Sequence, residues 1–274
     1  MSGNELFLLL MLGHVLGSIL LQPETPATRM QAPRTRHQAA PRFILPAAAS
    51  LLAGFLVLLP CLTVASVWIP PVMSALWLVP DWLRNRQTKG KPDENRLPAA
   101  RVWFFVSHLA PFAAAACIAH FGTRDNAFHV NALYPLLQAL PGTLSSSVTV
   151  ETALRWLLMV LLLGKPANLV IRELNGKGNI RQPQVPTPVP VLDMPKREPE
   201  YQNAGSLIGT LERYLIAIML LLGQYAAIGL IFTAKSITRY DRISKDPSFA
   251  EYYLVGTLMS TLIAIITVFV LKPV

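Results

Sequence analysis

Charge is what this chain has least of. Only 14% of its 274 residues are Asp, Glu, Lys or Arg, against about 25% in an average soluble domain. The few charges crowd into short stretches. Between them lie apolar runs that reach the roughly 20 residues a helix needs to cross a hydrocarbon core about 30 Å thick. A soluble amphipathic helix needs one polar face, so this scarcity argues against an ordinary water-soluble fold. Cysteine is nearly missing as well: Cys61 and Cys117 are the two present. Their spacing fits no CxxC metal or redox motif, and both read as small buried hydrophobes. No P-loop, dinucleotide fingerprint, GxSxG elbow or HExxH motif occurs, which removes the commonest sequence-level reasons to expect an enzyme. No internal repeat is visible, so an inverted-repeat transporter has no support either.

What is present is hydrophobic and basic. Apolar residues make up 53% of the chain, and 24 Lys and Arg outnumber 15 Asp and Glu for a net charge of +9. The excess sits in loops between apolar runs, where the positive-inside rule explains it. No aromatic-rich basic module or zinc-knuckle spacing accompanies it. Nucleic acid is therefore not an expected partner, whereas a lipid bilayer is. The predicted fold is all-α: a multi-pass transmembrane helical bundle of about seven spans, with six to eight allowed.

The first span covers residues 5–21. It lacks a basic leading region and a clean small-x-small site, so it reads as a retained helix rather than a cleaved signal. A Pro- and Ala-rich loop with Arg29, Arg34, Arg36 and Arg42 follows. Residues 43–83 are too long for one helix; breaks at Pro60 and Pro70-Pro71 split them into spans 43–59 and 62–82. The alternative is one span followed by an interfacial helix carrying Trp77 and Trp82. After a polar loop with six basic residues (84–101) comes a fourth span, 102–121, then a moderately apolar piece, 127–140, that suits an amphipathic or re-entrant segment. The fifth span, 152–171, is interrupted by Gly164-Lys165-Pro166. The sixth is 214–233, inside a longer helical pattern of 206–239, and the seventh is 252–271. Between the fifth and sixth lies a polar stretch whose prolines, from Pro183 to Pro199, suit an extended linker. The expected organisation is thus a membrane region at 1–171, a linker at 172–204 and a second membrane region at 205–274.

Seven spans with the N-terminus outside place three basic loops in the cytoplasm, as the positive-inside rule requires. One loop disagrees: Lys235, Arg239, Arg242 and Lys245 would fall outside. Either the sixth span is a hairpin folded near Gly223, or the span count is off by one.

Ionisable residues inside a span cost about 2.5–3.5 kcal/mol or more, so each needs a reason. His14, Ser18 and Gln22 fall on one face of the first span at spacings of four. The plainest reason is a hydrogen-bonded helix–helix contact. His108 lies in the fourth span, and Asp125 and His129 lie beyond its end, four apart. Three histidines and a carboxylate suit a divalent metal such as zinc or iron, although nothing in their spacing forces them together. His120 is off the face of His108. Lys165, between a glycine and a proline, is either a cavity-lining cation or a snorkelling lysine. Glu212 and Arg213 open the sixth span, Lys235 and Arg239 close it, and Glu251 opens the seventh. Pairing of Glu212 or Glu251 with a cation would offset the burial cost.

Several C-terminal motifs occur in a familiar order. Gly205-Ser-Leu-Ile-Gly209-Thr-Leu-Glu212-Arg213 is followed by Gly223-Gln-Tyr-Ala-Ala-Ile-Gly229, then by Ala234-Lys235-Ser236-Ile-Thr-Arg239-Tyr240, then by Ala250-Glu251-Tyr252 with Gly256-Thr257 and Ser260. Together with Lys165-Pro166-Ala167-Asn168 and Ile171-Arg172, they resemble a bacterial integral membrane family catalogued as domain of unknown function 3307. The N-terminal half is similar through His14 and Leu21-Gln22, but Ser18 and Phe112 stand where the family pattern has acids. Asp125-Asn-Ala-Phe-His129 resembles its D-Q-x-x-H motif. The resemblance implies a bacterial inner-membrane protein and names no activity. Three functions are compatible: a non-catalytic partner or scaffold subunit acting through the basic cytoplasmic loops and linker, a membrane-embedded metal-dependent hydrolase, and a small-solute transporter or channel past Lys165, Glu212 and Lys235. The missing acids favour the first.

Overall fold

In a computed structural model the described residues are 2–20, 41–59, 66–88, 93–124, 139, 149–174 and 200–272. Their regular structure is helical. The helices are α1 (Gly3–Val15), continued by a π-helical turn (Leu16–Leu20), α2 (Pro41–Leu58), α3 (Ile69–Thr88), α4 (Asp93–Arg124), α5 (Val150–Leu163), α6 (Lys165–Leu174), α7 (Glu200–Leu221), α8 (Tyr225–Ile237), α9 (Tyr240–Lys245) and α10 (Pro247–Leu271). The expected linker and the 127–140 piece lie almost wholly outside the described residues. Contacts divide the chain into two units, with the boundary inside α5 between Leu158 and Met159.

In the first unit α1 packs on α2 and α4, and α3 closes the ring by packing on both of those. Helix α1 starts at a capping box, in which the Ser2 hydroxyl accepts from Glu5 N–H and the Glu5 carboxylate accepts from Ser2 N–H. It is apolar all round and buried from Leu8 to Val15 without a break, as a helix at the centre of a bundle must be. Glycine lets it approach α2. A Cβ at Gly17 would lie 2.6 Å from the Ser50 Cα, and one at Gly13 would lie 3.4 Å from the Gly54 Cα. Gly13/Gly17 against Ser50/Gly54 is thus a small-xxx-small contact of the kind that holds membrane helices together. Pro70 and Pro71 sit in the first turn of α3, where a missing N–H costs nothing, so this helix starts at Ile69 and not at 62 as the expected span of 62–82 had it.

The second unit is built around α7 and α10, with α6 packed on both. The Gly164-Lys165-Pro166 interruption is a bend of 42° between α5 and α6. The sixth predicted span is not one helix. Helix α7 stops at Leu221, Gly223 adopts a left-handed φ of +70°, and α8 begins at Tyr225. Lys235 near the end of α8 is ion-paired with Glu212 of α7, so α8 runs back along α7. This is a hairpin at Gly223, one of the two ways named above to reconcile the basic 235–245 loop with the positive-inside rule. The propensity pattern of 206–239 missed it because a single glycine is tolerated inside a helix.

Among the described residues three helices are long and apolar enough to cross a membrane: Gly3–Leu20, Arg101–Phe121 and Pro247–Leu271, with mean hydropathies of 1.5, 1.8 and 2.5. The bent pair α5–α6 makes a fourth if it is one span. At the second and sixth predicted spans the apolar helices are shorter, Pro46–Leu58 and Tyr225–Ile237. Helix α10 leaves a continuous apolar face open, including Leu254, Leu258, Leu262, Ile266 and Phe269. An uncovered patch of that kind suits lipid or protein rather than water.

Candidate functional site

The first cluster of polar groups lies in the first unit. His14 and His108, on α1 and α4, bring their ring centroids to 6.0 Å with the rings nearly perpendicular. The His108 ring also lies 4.5 Å from that of Phe104. The Phe104 carbonyl, 2.9 Å from His108 Nδ1, can only accept. In the neutral ring the proton is therefore on Nδ1 and the lone pair on Nε2. The Ser107 hydroxyl, 3.0 Å from the same Nδ1, donates to the Phe104 carbonyl at 2.8 Å. His14 is 5% exposed, and its Nε2 is buried with no hydrogen-bond partner among the described residues. An orphaned buried polar atom is rare enough to require an explanation.

Around His14 the remaining polar groups come from α2 and α3. Ser50 and Ser74 share a hydrogen bond of 3.0 Å. With His14 and Met73 they line a cavity of about 10 Å³, room for about one water-sized particle. Ser18 does not join a neighbouring helix: its hydroxyl donates to the His14 carbonyl at 2.5 Å. That back-bond sits where the α-helix widens into the π turn, a common accompaniment of functional positions. Gln22, Asp125 and His129 lie outside the described residues. Among the described residues no three His, Cys, Asp or Glu side chains converge as a metal group. Sequence reasoning missed Asp81 of α3, which forms an ion pair of 2.7 Å with Arg84.

The second cluster surrounds Arg213 of α7, which is 1% exposed. Its Nε donates to the Leu163 carbonyl at 2.7 Å, and its Nη2 to Asn168 Oδ1 at 2.6 Å and Thr210 Oγ1 at 3.0 Å. Longer contacts reach Ser260 at 3.3 Å and the Gly164 carbonyl at 3.4 Å. All five partners are neutral. The guanidinium thus caps the carbonyl end of α5, where the bend releases backbone acceptors and the helix dipole places partial negative charge. Lys165, read from the sequence as either a cavity-lining cation or a snorkelling lysine, sits half-buried at the start of α6. Arg213 supplies that cation from another helix.

Glu212, adjacent to Arg213, pairs instead with Lys235. Lys235 and Arg239 also lie 5.8 and 5.7 Å from the Tyr253 ring, and Arg242 stands 4.0 Å over Phe249. These cation–π contacts fasten the basic 235–242 stretch to the start of α10. Glu251 is exposed.

Among the described residues the regular structure is all helical, with three to four candidate membrane-spanning helices. No protein-family model, curated protein or solved structure matches the chain.

Proposed function

We propose that this chain is a multi-pass bacterial inner-membrane protein of about seven membrane segments, akin to the family its C-terminal motifs resemble, that acts as a non-catalytic partner subunit. One observation carries the reading: α8 is apolar, yet none of its residues is buried. Its 13 residues make a helix about 20 Å long, short of a 30 Å core. The turn at Gly223 lies about 16 Å beyond the level of the Glu212–Lys235 pair, near the middle of such a core. Non-helical backbone at that depth is tolerated only against protein or a wet cavity. A membrane helix of a partner protein is the occupant that fits, because the exposed residues along α8 are apolar: Leu230 is 71% exposed. The polar groups of the second unit point the same way. Arg213 is engaged by neutral acceptors and Glu212 by Lys235, which suits architecture more than turnover.

The test is photocrosslinking in native membranes from a benzophenone amino acid at Leu230, with Val270 of α10 as the lipid-facing control. The expected result is one discrete adduct to a single membrane protein from position 230 and none from 270. An adduct of two copies of this chain, or lipid adducts alone at both positions, would refute a heterologous partner.

A second reading, a membrane-embedded metal-dependent hydrolase, is favoured by the meeting of His14 and His108. It needs a carboxylate to hold or activate water. Hydrolytic turnover that depends on His14 would establish it.

A further inference from the structure

We propose that the 237–245 stretch binds the headgroup of one anionic phospholipid, with Arg239 and Arg242 on its phosphate. This rests on α10 crossing a membrane and is independent of the partner-subunit reading.

Helix α10 fixes the level at which that stretch lies. Its 25 residues make a helix about 37 Å long, about 7 Å more than a 30 Å core takes up. The surplus falls at its N-terminal end. Ser248, Glu251 and Tyr252 are exposed there, whereas the last turns up to Leu271 carry no charge. Phe249 and Tyr253 are thus at headgroup depth, where aromatic rings with a polar tip concentrate. Arg242 and Arg239 are set on those two rings, 4.0 and 5.7 Å from their centroids. Both guanidiniums therefore stand at the depth of lipid phosphates.

A basic loop beside a membrane helix needs no ligand to explain it. Three features go beyond that. The guanidiniums are placed, each by a cation–π contact, while both residues stay exposed. They line an open hollow of about 540 Å³ with Ile237, Thr238, Tyr240 and Asp241, within the size range of small-molecule sites. The charge around it is positive in excess. Among the described residues Arg239, Arg242 and Lys245 make no ion pair, while Lys235 is neutralised by Glu212. Asp241 offsets one of the three. Asp246 is engaged with the first turn of α10, where it accepts from Phe249 N–H at 3.0 Å. Two arginines side by side suit phosphate, because each planar fork can give two parallel hydrogen bonds to its oxygens.

The apolar rim separates a lipid from a free anion. Ile237 is 67% exposed and Tyr240 68%. An isoleucine left open beside two guanidiniums matches the boundary between headgroups and acyl chains.

The experiment is native mass spectrometry of the detergent-purified full chain, titrated with phosphatidylglycerol or phosphatidylcholine of matched acyl chains, with circular dichroism on each variant. Expected are one retained phosphatidylglycerol per chain and no retained phosphatidylcholine. Each arginine beside an anionic headgroup contributes about fivefold, so Arg239→Gln/Arg242→Gln should weaken phosphatidylglycerol binding about 25-fold. Ile237→Ser/Tyr240→Ser, at two exposed positions, should weaken it several-fold with parental helicity. Lys272→Gln, at the far end of α10, should leave it unchanged. Equal retention of the two lipids overturns the proposal. So does displacement of phosphatidylglycerol by excess inorganic phosphate, which would make the hollow a free-anion site, or an equal loss in Lys272→Gln, which would make the binding general charge attraction. Should the arginine variant lose helicity, Ile237→Ser/Tyr240→Ser decides, and parental binding in either folded double variant overturns the site. A full chain that stays monomeric in buffer without detergent would overturn the membrane placement itself, a failure read apart from lipid binding.

Discussion

Arg213 is the residue on which the second unit depends most, and its replacement has a magnitude that can be worked out. Two of its bonds are short: to the Leu163 carbonyl at 2.7 Å and to Asn168 Oδ1 at 2.6 Å. The contacts at 3.3 and 3.4 Å are too long to count for much. Truncation to alanine leaves the two strong acceptors without their donor. Each stranded buried acceptor costs about 1–3 kcal/mol. Removing a buried charge returns part of this, because the guanidinium no longer has to be desolvated. Asn168 keeps its amide bond to Thr210, which limits its loss. The net expectation for Arg213→Ala is a loss of about 2–5 kcal/mol. Arg213→Met fills the space and isolates the hydrogen bonds, so it should lose less, about 2 kcal/mol. Arg213→Lys should behave nearer to alanine than to the parent, since one ammonium cannot reproduce the planar fork. Reversible unfolding in mixed micelles, followed by far-UV circular dichroism, reads the differences. Parental stability in both the alanine and methionine variants would refute the capping role. A methionine variant more stable than the parent would show that desolvation outweighs the bonds.

Three further outcomes follow from the same geometry. Gly17→Ala places a methyl 2.6 Å from the Ser50 Cα, so α1 and α2 must separate; a loss of about 1–3 kcal/mol is expected in the same unfolding assay, and a neutral result would show that the contact is looser than described. Glu212→Gln strands the half-buried Lys235 ammonium and should destabilise by about 1–3 kcal/mol, while Glu212→Gln/Lys235→Met recovers most of the loss, since removing both partners deletes the burial cost along with the attraction; a double variant as unstable as the single one would contradict the pairing. The hairpin predicts sidedness: in a background with Cys61 and Cys117 replaced by serine, Ser244→Cys and a cysteine within 175–199 should react with a membrane-impermeant maleimide from one side and Lys272→Cys from the other, and opposite sidedness of the first two would restore a straight sixth span.

Some of the fold was legible because its causes are local. The interruption at Gly164-Lys165-Pro166 announces a helix break in any context, and the structure bends by 42° there. Pro70-Pro71 signalled a break too, although the expected span of 62–82 ran through it and α3 starts at Ile69. The turn at Gly223 was legible only indirectly, through a basic loop on the wrong side. The ion pair that fastens α8 along α7 joins residues 23 positions apart, and no local propensity encodes it. The candidate site was legible in part. His14 and His108 stood out because an imidazole inside an apolar run is costly. That they meet depends on α1 packing against α4, and Met73 and Asp81 carried no signal at all.

The sequence by itself determined the class of this protein. Transfer free energy adds residue by residue along the chain, so long apolar runs and scarce charge point to helices in a membrane whatever their arrangement. It also marked the helix break at Gly164-Lys165-Pro166, because proline acts through the backbone of its own turn. Only the tertiary structure decided which polar groups meet. Whether Arg213 caps α5 or pairs with Glu212, and whether His14 faces a serine, a methionine or a second imidazole, depends on distances of a few ångströms between segments far apart in the chain. Those distances are set by how glycines and side chains pack between helices.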